Sequence, residues 1–340
     1  MELTVKTHTL TYPIYIEEGC IKHLKEHINL NRKVMIITDE NIPDEYIEIV
    51  KKQCAEAYVY ISISGEEAKS LENYQYICEY MLECQMSRAD LIIAIGGGVI
   101  GDLSGFVAAT YMRGIEFVNI PTTTLSQIDS SIGGKVAVNL GLTKNIIGAF
   151  YPPIAVFIDF ETLKSLPKRH YYNGLVEALK AGLIYDPTIF ELFKSDDIDE
   201  HLPEIIYKSL VVKKTIVEED EFEMGIRKIL NFGHTIGHGL ESYFNLHDLL
   251  HGEAVALGML YVLTNEDIRK EVVNIYQKLH LPINVTYDTN EVYQYIINDK
   301  KAKHGKLSLI KVDEIGKAYI EETLLEDIKK LLEVNVCQVY

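Results

Sequence analysis

The chain has 340 residues, 47% apolar and 24% charged; that is an ordinary globular balance, too long for one hydrophobic core, so two domains are expected. Fifty acidic residues against 33 basic ones leave a formal net charge of −17, which argues against nucleic acid as a partner but leaves room for a local cationic pocket. Five cysteines (Cys20, Cys54, Cys78, Cys84 and Cys337) with no Cys-x-x-Cys pair, no signal-peptide pattern at the N-terminus and no apolar run of membrane-spanning length set the expectation of a reduced, cytoplasmic protein without membrane contact.

Short β-branched runs at Val34–Ile37, Ala57–Ile61, Leu91–Ile95 and Phe117–Ile120 read as strands, with helical periodicity over Asp44–Tyr58 and Ser70–Met86 between them. Ala155–Ile158 reads as the last strand. Strands alternating with helices imply a doubly wound, Rossmann-like α/β domain with a parallel sheet. After Leu163 the texture changes to long amphipathic stretches: Tyr171–Leu183, Ile205–Glu218, Ile229–Phe244, Glu253–Leu263 and Asp267–Leu279. These predict an all-helical second domain, with the boundary near Asp159–Leu166. The division is 1–160 for an α/β domain and 161–340 for a helical one.

The first chemical motif follows the third predicted strand. Gly96, Gly98 and Gly101 form Gly-x-Gly-x-x-Gly between a strand and a helix, where backbone amides can approach a pyrophosphate. A tight structural turn would account for the same glycines. Pro121–Thr124 follows the next strand and offers hydroxyls at the carboxyl edge of a sheet, where open α/β sheets bind ligands. Asp129, Lys135, Lys144 and Asn145 sit among small residues, and two lysines there suit a phosphate; Arg113 could serve the same end.

In the second half, Glu177 and Lys180 are spaced i, i+3 within an otherwise apolar helix. Arg227, Asn231, His234 and His238 follow at i, i+4, i+7 and i+11, so on one helix all four line a single stripe. A buried polar stripe must face a metal, a ligand or water. A carboxylate with two imidazoles is a catalytic metal set that leaves a coordination position open. The imidazoles could be His234 with His238, or one of them with His247 or His251; spacing does not choose.

Taken together, these segments resemble the 3-dehydroquinate synthases, within the sugar-phosphate cyclases, from about Ile37 to Lys301. The resemblance is carried by Gly65-Glu66-x-x-Lys69, the Gly-Gly-Gly-Val-Ile-Gly-Asp102 loop, Met112-Arg113-Gly114, Pro-Thr-Thr-Thr124 and Asp129 to Lys135. Lys144-Asn145, Glu177-x-x-Lys180, Arg227 to His238, the His251 segment and Asp299-Lys300-Lys301 complete it. It implies Glu177, His234 and His251 as ligands of a divalent metal, zinc or cobalt. It implies NAD held by Asp39, Asn41, Glu66, Lys69, Gly98, Val99, Ile100, Gly101, Asp102, Thr122, Thr123, Lys135 and Lys144, with Thr162, Leu163, Lys164 and Ser165. It places Arg113, Asp129, Lys135, Asn145, Lys180, Lys213, Arg227, Asn231, His238 and Lys300 around a sugar-phosphate substrate, with His238 as proton relay and Arg113 reaching across a homodimer. The segment Asn139–Thr143 and the Tyr151-Pro152-Pro153 ending depart from the family pattern, at loop positions. Polyol and glycerol-phosphate dehydrogenases share the two-domain plan and glycine loop and form the alternative class, as do cyclases of other sugar phosphates.

Overall fold

The computed structural model describes residues 1–141, 143–244, 248–299 and 305–334. The chain divides into two compact units, Met1–Pro167 and Lys168–Tyr340.

The first unit is built on strands β1 (Glu2–Lys6), β2 (Thr11–Ile16), β3 (Lys33–Asp39), β4 (Glu56–Ser62), β5 (Leu91–Gly96), β6 (Glu116–Pro121), the hairpin β7 (Lys135–Leu140) and β8 (Thr143–Phe150), and β9 (Ala155–Ile158). Its helices are α1 (Asp44–Lys51), α2 (Leu71–Glu83) and α3 (Gly98–Thr110). Seven strands form one sheet in the order β1-β2-β9-β6-β5-β3-β4. All pairings are parallel except β1 with β2. β5 and β9 are buried along their whole length, which is why they read as continuous apolar runs. On one face of the sheet Ile92, Ala94, Phe117 and α3 residues Leu103 and Val107 share a core with Val136 and Val138 of the hairpin; the other face packs Ile93, Ile95, Val118 and Phe157 against Ile47 and Val50 of α1.

The five predicted strands are present. The glycine motif, expected after the third strand, follows the fifth in chain order, because β1 and β2 come before the first one predicted. The helix expected over Asp44–Tyr58 ends at Lys51, since Glu56 already enters β4.

The second unit holds α4 (Lys168–Ile184), α5 (Pro187–Leu192), α6 (Leu202–Glu219), α7 (His234–Tyr243), α8 (His251–Val262), α9 (Glu266–Lys278), α10 (Thr289–Asp299), strands β10 (Lys306–Glu314) and β11 (Lys317–Leu324), and α11 (Leu325–Glu333). It is helical in the main, as expected, but not throughout. β10 and β11 form an antiparallel hairpin in which Ile310 pairs with Ile320. Leu307, Leu309 and Val312 of β10 are buried, so the hairpin covers apolar surface that the helices leave open. No described helix is long and apolar enough to cross a membrane.

The predicted continuous helix from Ile229 through Phe244 is broken. Ile226–Asn231 is a 3-10 segment, and the chain turns at Phe232 and Gly233 before α7 begins. Gly233 has φ 77°, in the left-handed region, and a Cβ there would lie 2.7 Å from the Val255 carbonyl and 2.6 Å from Met259. Only glycine meets both demands. Hence Arg227 and Asn231 belong to one element and His234 and His238 to another, so no single helical stripe carries all four.

Candidate active site

In the second unit, α4 presents Glu177 and Lys180, each at most 3% exposed. Lys180 Nζ forms a salt bridge with Glu177 Oε2. Glu177 Oε1 is buried without a hydrogen-bond partner and faces two imidazoles: His234 Nε2 lies 3.7 Å away and His251 Nε2 3.8 Å away. The three residues bring one ligand atom each within 4.8 Å of one another. Two imidazole nitrogens around a carboxylate oxygen with no hydrogen-bond partner form a donor set fitted to zinc or cobalt. The helices bring them together through close backbone approach: a Cβ on Gly258 of α8 would fall 2.0 Å from the Gly233 carbonyl that precedes α7.

Each ring is held by its other nitrogen. His234 Nδ1 is 3.1 Å from the Phe232 carbonyl, and His251 Nδ1 is 3.1 Å from Glu241 Oε2. Burial pushes the His234 pKa well below its ordinary value, aided by the Lys180 charge and the other two imidazoles. At His251 burial pulls down as well, but the Glu241 hydrogen bond and charge, with Glu177, outweigh it and raise the pKa. His238 lies on α7 with its ring centroid 5.3 Å from that of His234 and 5.8 Å from that of His251.

Buried cations surround the same helices. Lys213 on α6 and Arg227 are nearly inaccessible, and the 226–231 segment packs on both α4 and α6. Arg227 Nη1 donates to the Glu221 carbonyl, and its backbone amide donates to Asp220 Oδ2 at 3.0 Å. Asn231 Nδ2 donates to Glu223 Oε1 at 2.6 Å. Asp220 organises the loop by also accepting from the Met224 and Gly225 amides, at 2.9 and 2.7 Å. Lys300, Lys301 and His247 lie outside the described residues.

In the first unit, the glycine loop opens α3 with no side-chain cap at Gly97, leaving first-turn amides to be met by something else. Its glycines also pack: a Cβ on Gly98 would meet Ser130 Oγ at 3.1 Å, and one on Gly101 would meet Asn119 at 3.2 Å. Val99 and Ile100 belong to the first turn of α3. Asp102, on the next turn, accepts from Lys69 Nζ at 2.7 Å. Lys69 also donates to Asn145 Oδ1 and lies 3.7 Å from Glu66 Oε1, so four candidate residues form one network. Asn145 sits at φ 53°, a conformation asparagine tolerates.

Asp39 ends β3 and accepts from the Asn41 amide at 2.9 Å; burial raises its carboxyl pKa, that hydrogen bond opposing it. The Thr122 hydroxyl is buried without a partner, while Thr123 Oγ1 is 2.8 Å from Ser126 Oγ. Asp129 lies in the π-turn Ser126–Ser130, Lys135 opens β7 and Lys144 lies in β8. Thr162 to Ser165 fall in the 3-10 segment Phe160–Ser165, with Thr162 and Leu163 buried. Lys164 there points to the surface, 3.0 Å from Glu18. Arg113 is exposed, in a turn at φ 67°.

Three contributors escaped the sequence reading. Glu241 holds His251, Asn139 donates to Glu66 Oε1 at 2.9 Å and accepts from the Asn145 amide at 2.8 Å, and Asp220 shapes the Arg227 loop. Glu241 carried a signal: it follows His234 and His238 at i+7 and i+3 on one face of α7.

The family description "3-dehydroquinate synthase N-terminal" matches residues 59–173 and "3-dehydroquinate synthase C-terminal" matches 174–302. The 3-dehydroquinate synthase of Enterococcus faecalis is 40% identical, covering 98% of this chain and 98% of its own. That of Streptococcus thermophilus is 40% identical over 98% of this chain and its full length, and that of Clostridium beijerinckii 38% over 96% and 99%. Among solved structures, a 2-deoxy-scyllo-inosose synthase with carbaglucose-6-phosphate, NAD+ and Co2+ superposes with a TM-score of 0.88 at 24% identity, covering 98% of this chain and 99% of that one. A 2-epi-5-epi-valiolone synthase from Streptomyces hygroscopicus with NAD+ and Zn2+ gives 0.87 at 24%, with the same coverage. A probable glycerol dehydrogenase from Sinorhizobium meliloti gives 0.61 at 17%, covering 94% and 95%. These structural likenesses speak for the fold.

Proposed function

The chain belongs to the 3-dehydroquinate synthase family, and on that premise we propose how its residues divide the work of the reaction. The chain converts 3-deoxy-D-arabino-heptulosonate 7-phosphate to 3-dehydroquinate and inorganic phosphate, a carbon–oxygen lyase step of aromatic biosynthesis. The observation that carries the site reading is the partnerless Glu177 Oε1 facing two imidazole Nε2 atoms. A zinc or cobalt ion held by Glu177, His234 and His251 would polarise the hydroxyl being oxidised, and NAD would take its hydride and later return it.

The protein's own groups supply binding, orientation and proton movement. His238, beside the two metal imidazoles and outside their set with Glu177, takes and returns the hydroxyl proton. Lys180, Lys213 and Asn231 orient the substrate. Lys135, Asn145, Arg227 and Lys300 are assigned to its phosphate, and Asp129 and Arg113 to the rest of the substrate; cationic groups in that role would stabilise charge as it develops on the leaving group. A doubly anionic substrate would account for the burial of Lys180, Lys213 and Arg227 in so acidic a chain. Once phosphate has left, ring opening and aldol closure are intramolecular and need mainly orientation. The NAD contacts assigned are Asp39, Asn41, Glu66, Lys69, the Gly98–Asp102 loop, Thr122, Thr123, Lys135, Lys144 and Thr162–Ser165; the contacts of Lys69 with Asp102 and Glu66 support grouping these three.

Because NAD is returned each cycle, substrate with a trace of NAD should release phosphate far in excess of the NAD present, without lasting NADH absorbance. NADH accumulating in step with product would instead mark a dehydrogenase. The working unit we propose is a homodimer in which Arg113, exposed in its turn, completes the neighbour's site. Mixing Arg113→Ala chains with Lys135→Ala chains should restore part of the activity; a verified heterodimer that stays inactive would refute shared sites.

A further inference from the structure

Glu241 has no part in the reaction described above, yet it occupies a decisive position. It is 8% exposed, on the α7 face that carries His234 and His238, with Oε2 3.1 Å from His251 Nδ1. His251 therefore meets a carboxylate at each ring nitrogen, Glu241 at Nδ1 and Glu177 at Nε2. Two overlapping ligand sets result. Glu177, His234 and His251 form one; His238, Glu241 and His251 form the other, again with one ligand atom each within 4.8 Å.

A neutral imidazole has one lone pair to give. If the ring proton sits on Nδ1, donated to Glu241, the lone pair lies on Nε2 toward Glu177 and His234, and the second set loses both its His251 nitrogen and the Glu241 oxygen that accepts the proton. If the proton moves to Nε2, the preference reverses. We propose that Glu241 is a positioning residue which fixes the His251 tautomer and so selects the Glu177 set over the His238 set. His234 is fixed by a neutral carbonyl, Phe232 O at 3.1 Å. His251 is held by a carboxylate, which also strengthens the imidazole as a ligand.

This inference rests on the metal reading above, and the test separates the two. Zinc affinity is measured by chelator competition on Glu241→Ala, Glu241→Gln, His234→Ala and the unaltered chain, all in metal-free form at the start. Glu241→Ala should bind zinc about 10- to 100-fold more weakly, and Glu241→Gln, whose carbonyl still accepts from Nδ1, should recover most of the loss. Cobalt added to Glu241→Ala should also show a visible absorption spectrum altered from that of the unaltered chain. Should alanine prevent folding, Glu241→Leu keeps the buried volume without the acceptor. An Ala or Leu variant within twofold of the unaltered chain, or a Gln variant as weak as Ala, overturns the proposal. If His234→Ala also binds zinc normally, the metal reading itself has failed; if only His234→Ala loses zinc, the role given to Glu241 alone is wrong.

Discussion

Glu177→Gln is expected to abolish tight metal binding and to cost the metal-free chain about 3–5 kcal/mol of stability, the usual result of stripping one partner from a buried ion pair. Glutamine keeps the volume, so the effect is one of charge. Lys180 Nζ is paired with Glu177 Oε2, and both side chains are at most 3% exposed. Without the carboxylate, the ammonium must stay charged in a low-dielectric setting or give up its proton. Urea unfolding of metal-free protein, followed by far-UV circular dichroism, measures the loss. Adding Lys180→Met removes the stranded charge and should restore most of the stability but none of the metal binding. Equal unfolding midpoints for Glu177→Gln and the unaltered chain would show that Lys180 does not depend on Glu177.

The second large effect falls on catalysis. Arg227→Ala should lower kcat/KM by about 30- to 1,000-fold, corresponding to about 2–4 kcal/mol of lost transition-state stabilisation. The guanidinium is buried and anchored before substrate arrives: its Nη1 donates to the Glu221 carbonyl, and the Arg227 amide is tied to Asp220. In the role proposed for it, such a group would need little reorganisation as charge develops on a departing phosphate. Arg227→Lys should recover little, because a point charge replaces a planar fork of donors. Phosphate release measures the rate, and a thermal melt separates it from folding. A variant that loses stability but keeps kcat/KM would reduce Arg227 to a structural residue.

Much of this was legible in the chain. The buried parallel strands announce themselves as β-branched runs, since both faces of the sheet are covered. β1 and β2 escape a reading for continuous apolar runs because each is only half buried, and Pro13 interrupts an alternation, Tyr12-Pro13-Ile14-Tyr15-Ile16, that otherwise has a period of two. The β7–β8 hairpin was missed for another reason: its small and polar residues looked like a ligand loop, and its strand character comes from pairing Val136 with Ala149. The polar residues from Arg227 to His238 stand out in the sequence, but the common stripe expected of them requires one helix, and the chain forms two elements there. What breaks it is tertiary: α8 comes so close that Gly233 must take a left-handed turn. Local propensity contains no record of that neighbour. The same limit applies at His251. Spacing could not choose it over His247 or His238, because its approach to Glu177 depends on how α8 packs on α4 and α7.

The sheet order has a consequence for the timing of assembly. β2 lies between β1 and β9, with Ile14 paired to Val156, so β2 leaves the ribosome well ahead of a strand it must pair with. During synthesis β1 and β2 can pair only with each other, and one edge of β2 stays open until the chain beyond Ile158 has emerged. Pairings between such distant segments are slow to form, and an unsealed strand edge is a template for the wrong partner. The β1–β2 pair is thus open to misassembly in a nascent copy of this chain, although in the finished protein it forms one border of the sheet.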